Sequence, residues 1–312
     1  MVTNRESNTL AVLGCGMSSP VSLLEPANRL LGVLGTAILS SILASMADRT
    51  ADDSGRLFVN FVVCVRRKEA GAAVSDKISS HVNANKVEIL YKENLRGVKQ
   101  ADAVLLACQP HLYKALFDEP GMREALKRKL IISVLAGVTT AKLEAALGNG
   151  EDYFVIRAMP NIACFVRDSA TIIEKPQRTF PETLLNVTDT VFKAVGSVFC
   201  IQPSAYDICT ALCGSSPAFL AVFIDSMVDG AVAMGLSHKD AVDMAAHTMR
   251  GAANLVLESG NPWTIRHQVA SPGGSTMQGL LALEQGNVRS TICNALMVTA
   301  KEAKKLGSKE NA

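Results

Sequence analysis

Two glycine-bearing stretches of this 312-residue chain have the composition of ligand-binding backbone. Gly14-Cys15-Gly16 follows the apolar run Leu10 to Leu13 and supplies the first two glycines of a G-x-G-x-x-G fingerprint. In that fingerprint glycine permits a tight turn and lets the backbone approach a pyrophosphate seated on the next helix N-terminus. The third glycine is missing at its expected place. Met17-Ser18-Ser19-Pro20 follows instead, Pro20 and Pro26 make Met17 to Arg29 a poor helix start, and a suitable helix begins only at Val33-Leu34-Gly35. Removing the 16 residues Met17 to Gly32 joins Gly14-Cys15-Gly16 to Val33-Leu34-Gly35-Thr36-Ala37 and restores the full fingerprint. Two readings of residues 17–32 stand side by side: a genuine surface insertion, which costs a loop little entropy, or a translated intron whose length keeps the reading frame. Sequencing the mature transcript separates them.

The second stretch is Ala270-Ser271-Pro272-Gly273-Gly274-Ser275-Thr276. Gly273 and Gly274 free the backbone to approach a ligand, Ser275 or Thr276 can cap the next helix, and N–H groups at that helix start form an anion site suited to a carboxylate. A plain turn with a helix cap is the other reading. Between the two stretches, Val65-Arg66-Arg67-Lys68 closes a strand where an NAD enzyme would place an acid for the ribose hydroxyls. The basic cluster favours the 2′-phosphate of NADP over an exposed strand-end charge run. Ala107-Cys108-Gln109-Pro110-His111 closes a later strand, where ligands bind in such sheets, although its proline also serves simply to stop the strand.

The elements that must position these residues alternate. Short runs at Leu10 to Leu13, Leu57 to Val65, Val87 to Tyr91, Ala103 to Ala107, Leu130 to Val134 and Phe154 to Ile156 read as strands. Segments such as Ser40 to Met46, Leu112 to Lys127 and Thr140 to Leu147 read as helices between them. This alternation predicts an α/β fold, a Rossmann-like doubly wound, mostly parallel sheet, over residues 1–202. Strand signals stop at Gln202-Pro203, and residues 203–312 read as an all-α domain. Pro217 to Met234 is apolar nearly all round except for Asp225 and Asp229, so a partner surface is expected, most simply a second copy of the chain. A core helix within a monomer is the alternative.

Composition excludes several classes of function. With 31 Lys+Arg against 29 Asp+Glu, a formal charge of +2 and 48% hydrophobic residues, the chain is neither disordered nor a basic nucleic-acid binder. Its eight cysteines include no CxxC pair, which suits reduced thiols; with no secretory pattern at the N-terminus, a cytoplasmic location is expected. Leu30 to Ala47 carries no charge over 18 residues, near the lower limit for a membrane span, but interrupting glycines and serines favour a helix buried in a protein core. None of the five histidines has a metal-ligand partner at suitable spacing, and no metal is expected.

Taken in order, the broken glycine loop, Ala107 to His111, Ile132 to Thr139, Arg157-Ala158-Met159-Pro160-Asn161, Leu212 to Ala218 and Ser271 to Thr276 resemble the pyrroline-5-carboxylate reductase family. The resemblance covers nearly the whole chain. It implies hydride transfer from NADPH, or NADH, to the cyclic imine 1-pyrroline-5-carboxylate, giving L-proline at the last step of proline biosynthesis, in a homo-oligomer that is a dimer or an assembly of dimers. It also implies a dinucleotide on Gly14, Gly16 and Gly35, with contacts from Asn94, Ala107, Cys108, Gln109 and Pro110, and a nicotinamide near Ala136, Pro160 and Asn161; Arg66 of the basic cluster joins the cofactor contacts on its charge. The substrate carboxylate would meet Gly274, Ser275 and Thr276, with the Thr276 hydroxyl beside the ring nitrogen as the catalytic contact. Gln109 stands where many members have lysine. The alternatives are an impaired isoform with its glycine loop split by residues 17–32, or a β-hydroxyacid dehydrogenase or imine reductase of similar architecture. The hydroxyacid enzymes use a lysine in the first long helix of the second domain, and Ser204 to Met234 contains none.

Overall fold

The computed structural model describes residues 8–14, 30–48, 58, 60–150 and 152–308. Its first part runs β1 (Thr9–Leu13), α1 (Leu30–Asp48), β2 (Asn60–Val65), α2 (Lys68–Ile78), β3 (Val87–Tyr91), α3 (Asn94–Gln100), β4 (Ala103–Leu106), α4 (Tyr113–Phe117), α5 (Met122–Leu126), β5 (Leu130–Ser133), α6 (Thr140–Leu147), β6 (Phe154–Met159), β7 (Ser169–Glu174), α7 (Glu182–Lys193) and β8 (Gly196–Ile201). Helices α8 (Tyr206–Cys209), α9 (Ser216–Ala233), α10 (His238–Ser259), α11 (Pro262–Val269), α12 (Ser275–Gln285) and α13 (Val288–Ser308) complete it.

One eight-stranded sheet has the order β3-β2-β1-β4-β5-β6-β7-β8. Neighbours pair in parallel except β6 with β7, which run antiparallel. The apolar strands are apolar because both faces are covered. Along β1, Leu10 and Val12 enter the core shared with α1, α2 and α7, while Ala11 and Leu13 enter the core shared with α3 to α6. The uncharged run at residues 30–47 is α1, whose Ala37, Ile38, Leu39, Ile42 and Leu43 are buried in the first of these cores.

Several expectations need correction. The single helix expected over Leu112 to Lys127 is two short ones, because Pro120 and Gly121 (φ +83°) break it. Strands β7 and β8 and helix α7 were not foreseen; β7 carries Ser169 and Thr171 inward, fully buried and hydrogen-bonded to each other at 3.1 Å, so its apolar pattern is broken. Helix α1 begins at Leu30, ahead of the expected start at Val33 and inside the segment 17–32. Residues 17–29, like Cys15 and Gly16, lie outside the described residues. The thiols are only partly interior: Cys64, Cys108 and Cys164 are buried, whereas Cys200 and Cys293 are exposed.

The chain divides into two compact units, Met1–Gly214 with Glu302–Ala312, and Ser215–Lys301. The second unit has little core of its own. Among its described apolar residues only Val228, Ala241 and Ala245 are buried, whereas Leu220, Val222, Met244, Leu257 and Val269 stand exposed. The helical run Pro203–Ala233 is long and apolar enough to cross a membrane by length and composition.

Candidate active site

Strands β1 to β6 are parallel, so their carboxyl ends share one edge. That edge gathers Gly14 after β1, Arg66 after β2, Asn94 after β3, Ala107 to Pro110 after β4, Ala136 after β5 and Pro160-Asn161 after β6. From β1 the chain order runs to β2 and β3 on one side and to β4, β5 and β6 on the other, which makes β1/β4 the topological switch point where such sheets bind ligands.

Gly14 occupies this point with φ +87°. A Cβ there would lie 2.4 Å from Cys108 Cα and 2.6 Å from Cys108 N, so glycine is demanded by the crossing of two backbones as well as by any ligand. The turn is tied on both sides: Gly14 N donates to Cys64 O at 3.1 Å, and Ala107 N donates to Leu13 O at 2.9 Å. Gly35 is buried within α1. A glycine at positive φ directly after β1 fits the first position of a dinucleotide fingerprint.

Around the edge the side chains differ in what they offer. Arg66, Arg67 and Lys68 are exposed, with Arg67 at the N-cap position of α2. Asn94 is half-buried as the first residue of α3, and Gln109 and Ala136 are exposed. Cys108 is buried, and burial pushes its thiol up to about 11, which removes it as a nucleophile near neutral pH. Asn161 is 9% exposed and its amide is already engaged. Its Oδ1 accepts from Ala163 N at 2.9 Å and its Nδ2 donates to Cys213 O at 2.9 Å, while its backbone N donates to Ser169 Oγ at 3.0 Å. Asn161 thereby ties the turn after β6 to a π-helical turn over Thr210–Ser215, a rare conformation that clusters at functional sites. Nothing in local sequence spacing marks Ser169 or Cys213 as its partners.

In the helical unit, Gly273 turns the chain at φ +72° and Gly274 N donates to Ser271 O at 3.1 Å. The N-cap of α12 is Gly274, with no side-chain cap hydrogen bond. Ser275 and Thr276 therefore do not cap the helix as expected; they are its first two residues, both exposed. N–H groups at these two positions have no carbonyl one turn earlier within the helix to bond, which leaves them as donors toward an anion. Among the described residues no group of three or more His, Cys, Asp or Glu could hold a metal ion.

A doubly wound sheet with a glycine turn at its switch point, followed by helices, defines a Rossmann-type nucleotide-binding protein. Comparison with known proteins narrows the class. Residues 203–306 match the family described as "Pyrroline-5-carboxylate reductase dimerisation", and residues 31–137 match "NADP oxidoreductase coenzyme F420-dependent". The chain is 91% identical over 311 residues to "Delta-1-pyrroline-5-carboxylate reductase kk1I" of Curvularia clavata, covering 100% of both chains. It is 36% identical over 316 residues to "Pyrroline-5-carboxylate reductase" of Lophium arboricola, covering 96% of this chain and 93% of that one. Among solved structures, a pyrroline-5-carboxylate reductase from Coxiella burnetii superposes with a TM-score of 0.78 at 26% identity, covering 98% of this chain and 100% of that one. The chain belongs to the pyrroline-5-carboxylate reductase family and is an oxidoreductase.

Proposed function

We propose that the chain reduces 1-pyrroline-5-carboxylate to L-proline with a pyridine nucleotide, NADPH in preference to NADH, as a homo-oligomer in the cytoplasm. The observation that carries this reading is the 91% identity to a relative of that name across the full length of both chains. The glycine turn at the switch point, closed to any larger residue by Cys108, supports the cofactor half of it.

In this reading Gly14, with Gly16 and Gly35, lets the backbone approach the pyrophosphate. Arg66 and its neighbour Arg67, both exposed at the end of β2, hold the 2′-phosphate, and Ala107 to Pro110, Asn94, Ala136 and Pro160 line the rest of the cofactor's path. Asn161 acts through the turns it ties together. When bound, the dinucleotide supplies a hydride to C5 of the imine. The open N–H groups of Ser275 and Thr276 hold the substrate carboxylate, and the Thr276 hydroxyl hydrogen-bonds the ring nitrogen as that nitrogen loses its cationic character. A protonated cyclic imine is already electrophilic, so the protein contributes mainly orientation and electrostatics and no general acid is required.

The exposed apolar side chains of the helical unit support oligomerisation, since a unit with so few buried residues needs a covering surface. The cysteine spacing, which suits reduced thiols, supports the cytoplasmic assignment. The test is a proline-forming assay on the purified chain with residues 17–32 in place: NADPH oxidation matched by L-proline formation is expected. Failure to form proline under conditions where the chain is folded overturns the reading.

A further inference from the structure

A cavity of about 510 Å³ opens on the nucleotide-binding unit beside α6, the β6–β7 pair and the turn after β8. None of the residues assigned above to cofactor or substrate lines it. Arg157, on its wall, precedes the end of β6 by two residues, so it sits ~7 Å down the strand from the carboxyl edge.

The cavity contains an unusual polar cluster. Arg157 is 6% exposed; its Nη1 lies 3.5 Å from Glu174 Oε2, and Glu174 Oε1 accepts from Thr140 Oγ1 at 2.9 Å. The guanidinium carbon of Arg157 stacks 3.8 Å from the centre of the Tyr206 ring. Two buried polar atoms, Arg157 Nε and Tyr206 Oη, have no hydrogen-bond partner. Buried polar groups in folded proteins are nearly always satisfied, so two unmet polar atoms closed within one wall of the volume mark that wall as short of a polar partner.

A strut between antiparallel strands would account for the Arg157–Glu174 pair by itself. It would not account for a volume in the range of small-molecule sites, about 300–1,000 Å³. Charge identifies the class of ligand. On the walls Arg157 is paired with Glu174 and Arg178 lies 3.9 Å from Glu144, while Lys304 and Asp207 add one cation and one anion beside apolar surface from Val155, Phe180 and Pro203. A phosphate or dicarboxylate would face three carboxylates. A small zwitterion with a hydrocarbon body meets complementary charge at both ends.

We infer that this cavity binds a small amino acid as its zwitterion, at a site separate from the catalytic edge. L-Proline is the probe, and only that choice rests on the proposed function. The experiment is equilibrium dialysis of the full chain against labelled L-proline, alone and with cyclopentanecarboxylate, which lacks the amine. Because Arg157 is buried and its replacement can unfold the chain, the variant is Ala141→Trp, which fills the cavity from an exposed position on its wall. Saturable binding is expected, weakened about tenfold or more by Ala141→Trp at unchanged melting temperature. The same binding should survive in Thr276→Val and resist competition by cyclopentanecarboxylate. No binding, equal binding by Ala141→Trp, loss in Thr276→Val, or effective competition by cyclopentanecarboxylate overturns the inference. Turnover is measured on the same preparations: binding without proline formation overturns the functional reading and leaves the cavity site standing.

Discussion

Replacing Gly14 by alanine tests the reading of the switch point most directly. The new Cβ would meet Cys108 Cα at 2.4 Å and Cys108 N at 2.6 Å, both backbone atoms that no rotamer change can remove. Relief requires β1 and β4 to part, at the expense of the bond from Ala107 N to Leu13 O. A positive φ costs an L-residue about 1–2 kcal/mol, and overpacking of this kind costs about 1–3 kcal/mol more. The sum, about 2–5 kcal/mol, corresponds to a melting temperature lower by roughly 4–20 °C for a domain of this size. Gly235→Ala is the matched control: its φ is +100° but nothing lies within 4 Å of the added carbon, so it carries the conformational cost alone. Thermal unfolding followed by circular dichroism reads the difference, and NADPH fluorescence titration reads the loss of the cofactor turn. If Gly14→Ala melts no lower than Gly235→Ala and binds NADPH equally well, the backbone crossing does not hold the turn and the argument fails.

Other outcomes follow from the same structure. Asn161→Ala removes the partner of both Ala163 N and Cys213 O, at about 1–3 kcal/mol for each group left unsatisfied. Asn161→Asp keeps the acceptor and should recover part of the loss in urea unfolding; equal destabilisation by both variants counts against the two-sided tie. Burial raises the thiols of Cys64 and Cys164 to about 12 and of Cys108 to about 11, from an ordinary 9.0. Their contribution to stability is therefore complete below pH 9 and is lost as pH rises toward those values, because the unfolded chain ionises first. Each thiol gives up about 1.4 kcal/mol per pH unit in that window, and a urea midpoint that stays flat above pH 9 would contradict it. Arg66→Ala with Arg67→Ala should weaken NADPH about tenfold or more and leave NADH unchanged, as comparative KM values would show; an unaltered preference removes both residues from the argument. Val222→Glu, on the exposed surface of α9, should lower the mass seen by light scattering, and an unchanged mass places the oligomer contact elsewhere.

Much of the nucleotide-binding half was legible because its central strands are apolar almost throughout. Leu10 to Leu13 and Ala103 to Ala107 announce burial on both faces without any knowledge of neighbours, and the helices after Pro203 announce themselves by the absence of strand patterns. Where burial is polar the text is silent. Ser169 and Thr171 sit inside β7 because each satisfies the other, and that satisfaction exists only once the strand is folded. Pro120 and Gly121 show the opposite case, a local signal for a helix break that the apolar periodicity around it outweighed.

The site divides along the same line. Residue type and order single out Gly14, the Arg66 cluster and the Ser271 to Thr276 turn as candidates, since each would draw its chemistry from its own backbone conformation or charge. Tertiary structure decided what those residues rest against. Gly14 must be glycine because of Cys108; Asn161 reaches across to Cys213; Arg157 meets Glu174 through the antiparallel step from β6 to β7. Periodicity reports which way a side chain faces within its own element. The identity of the group it faces depends on strand order and crossing, which the chain acquires only when distant segments are brought into register.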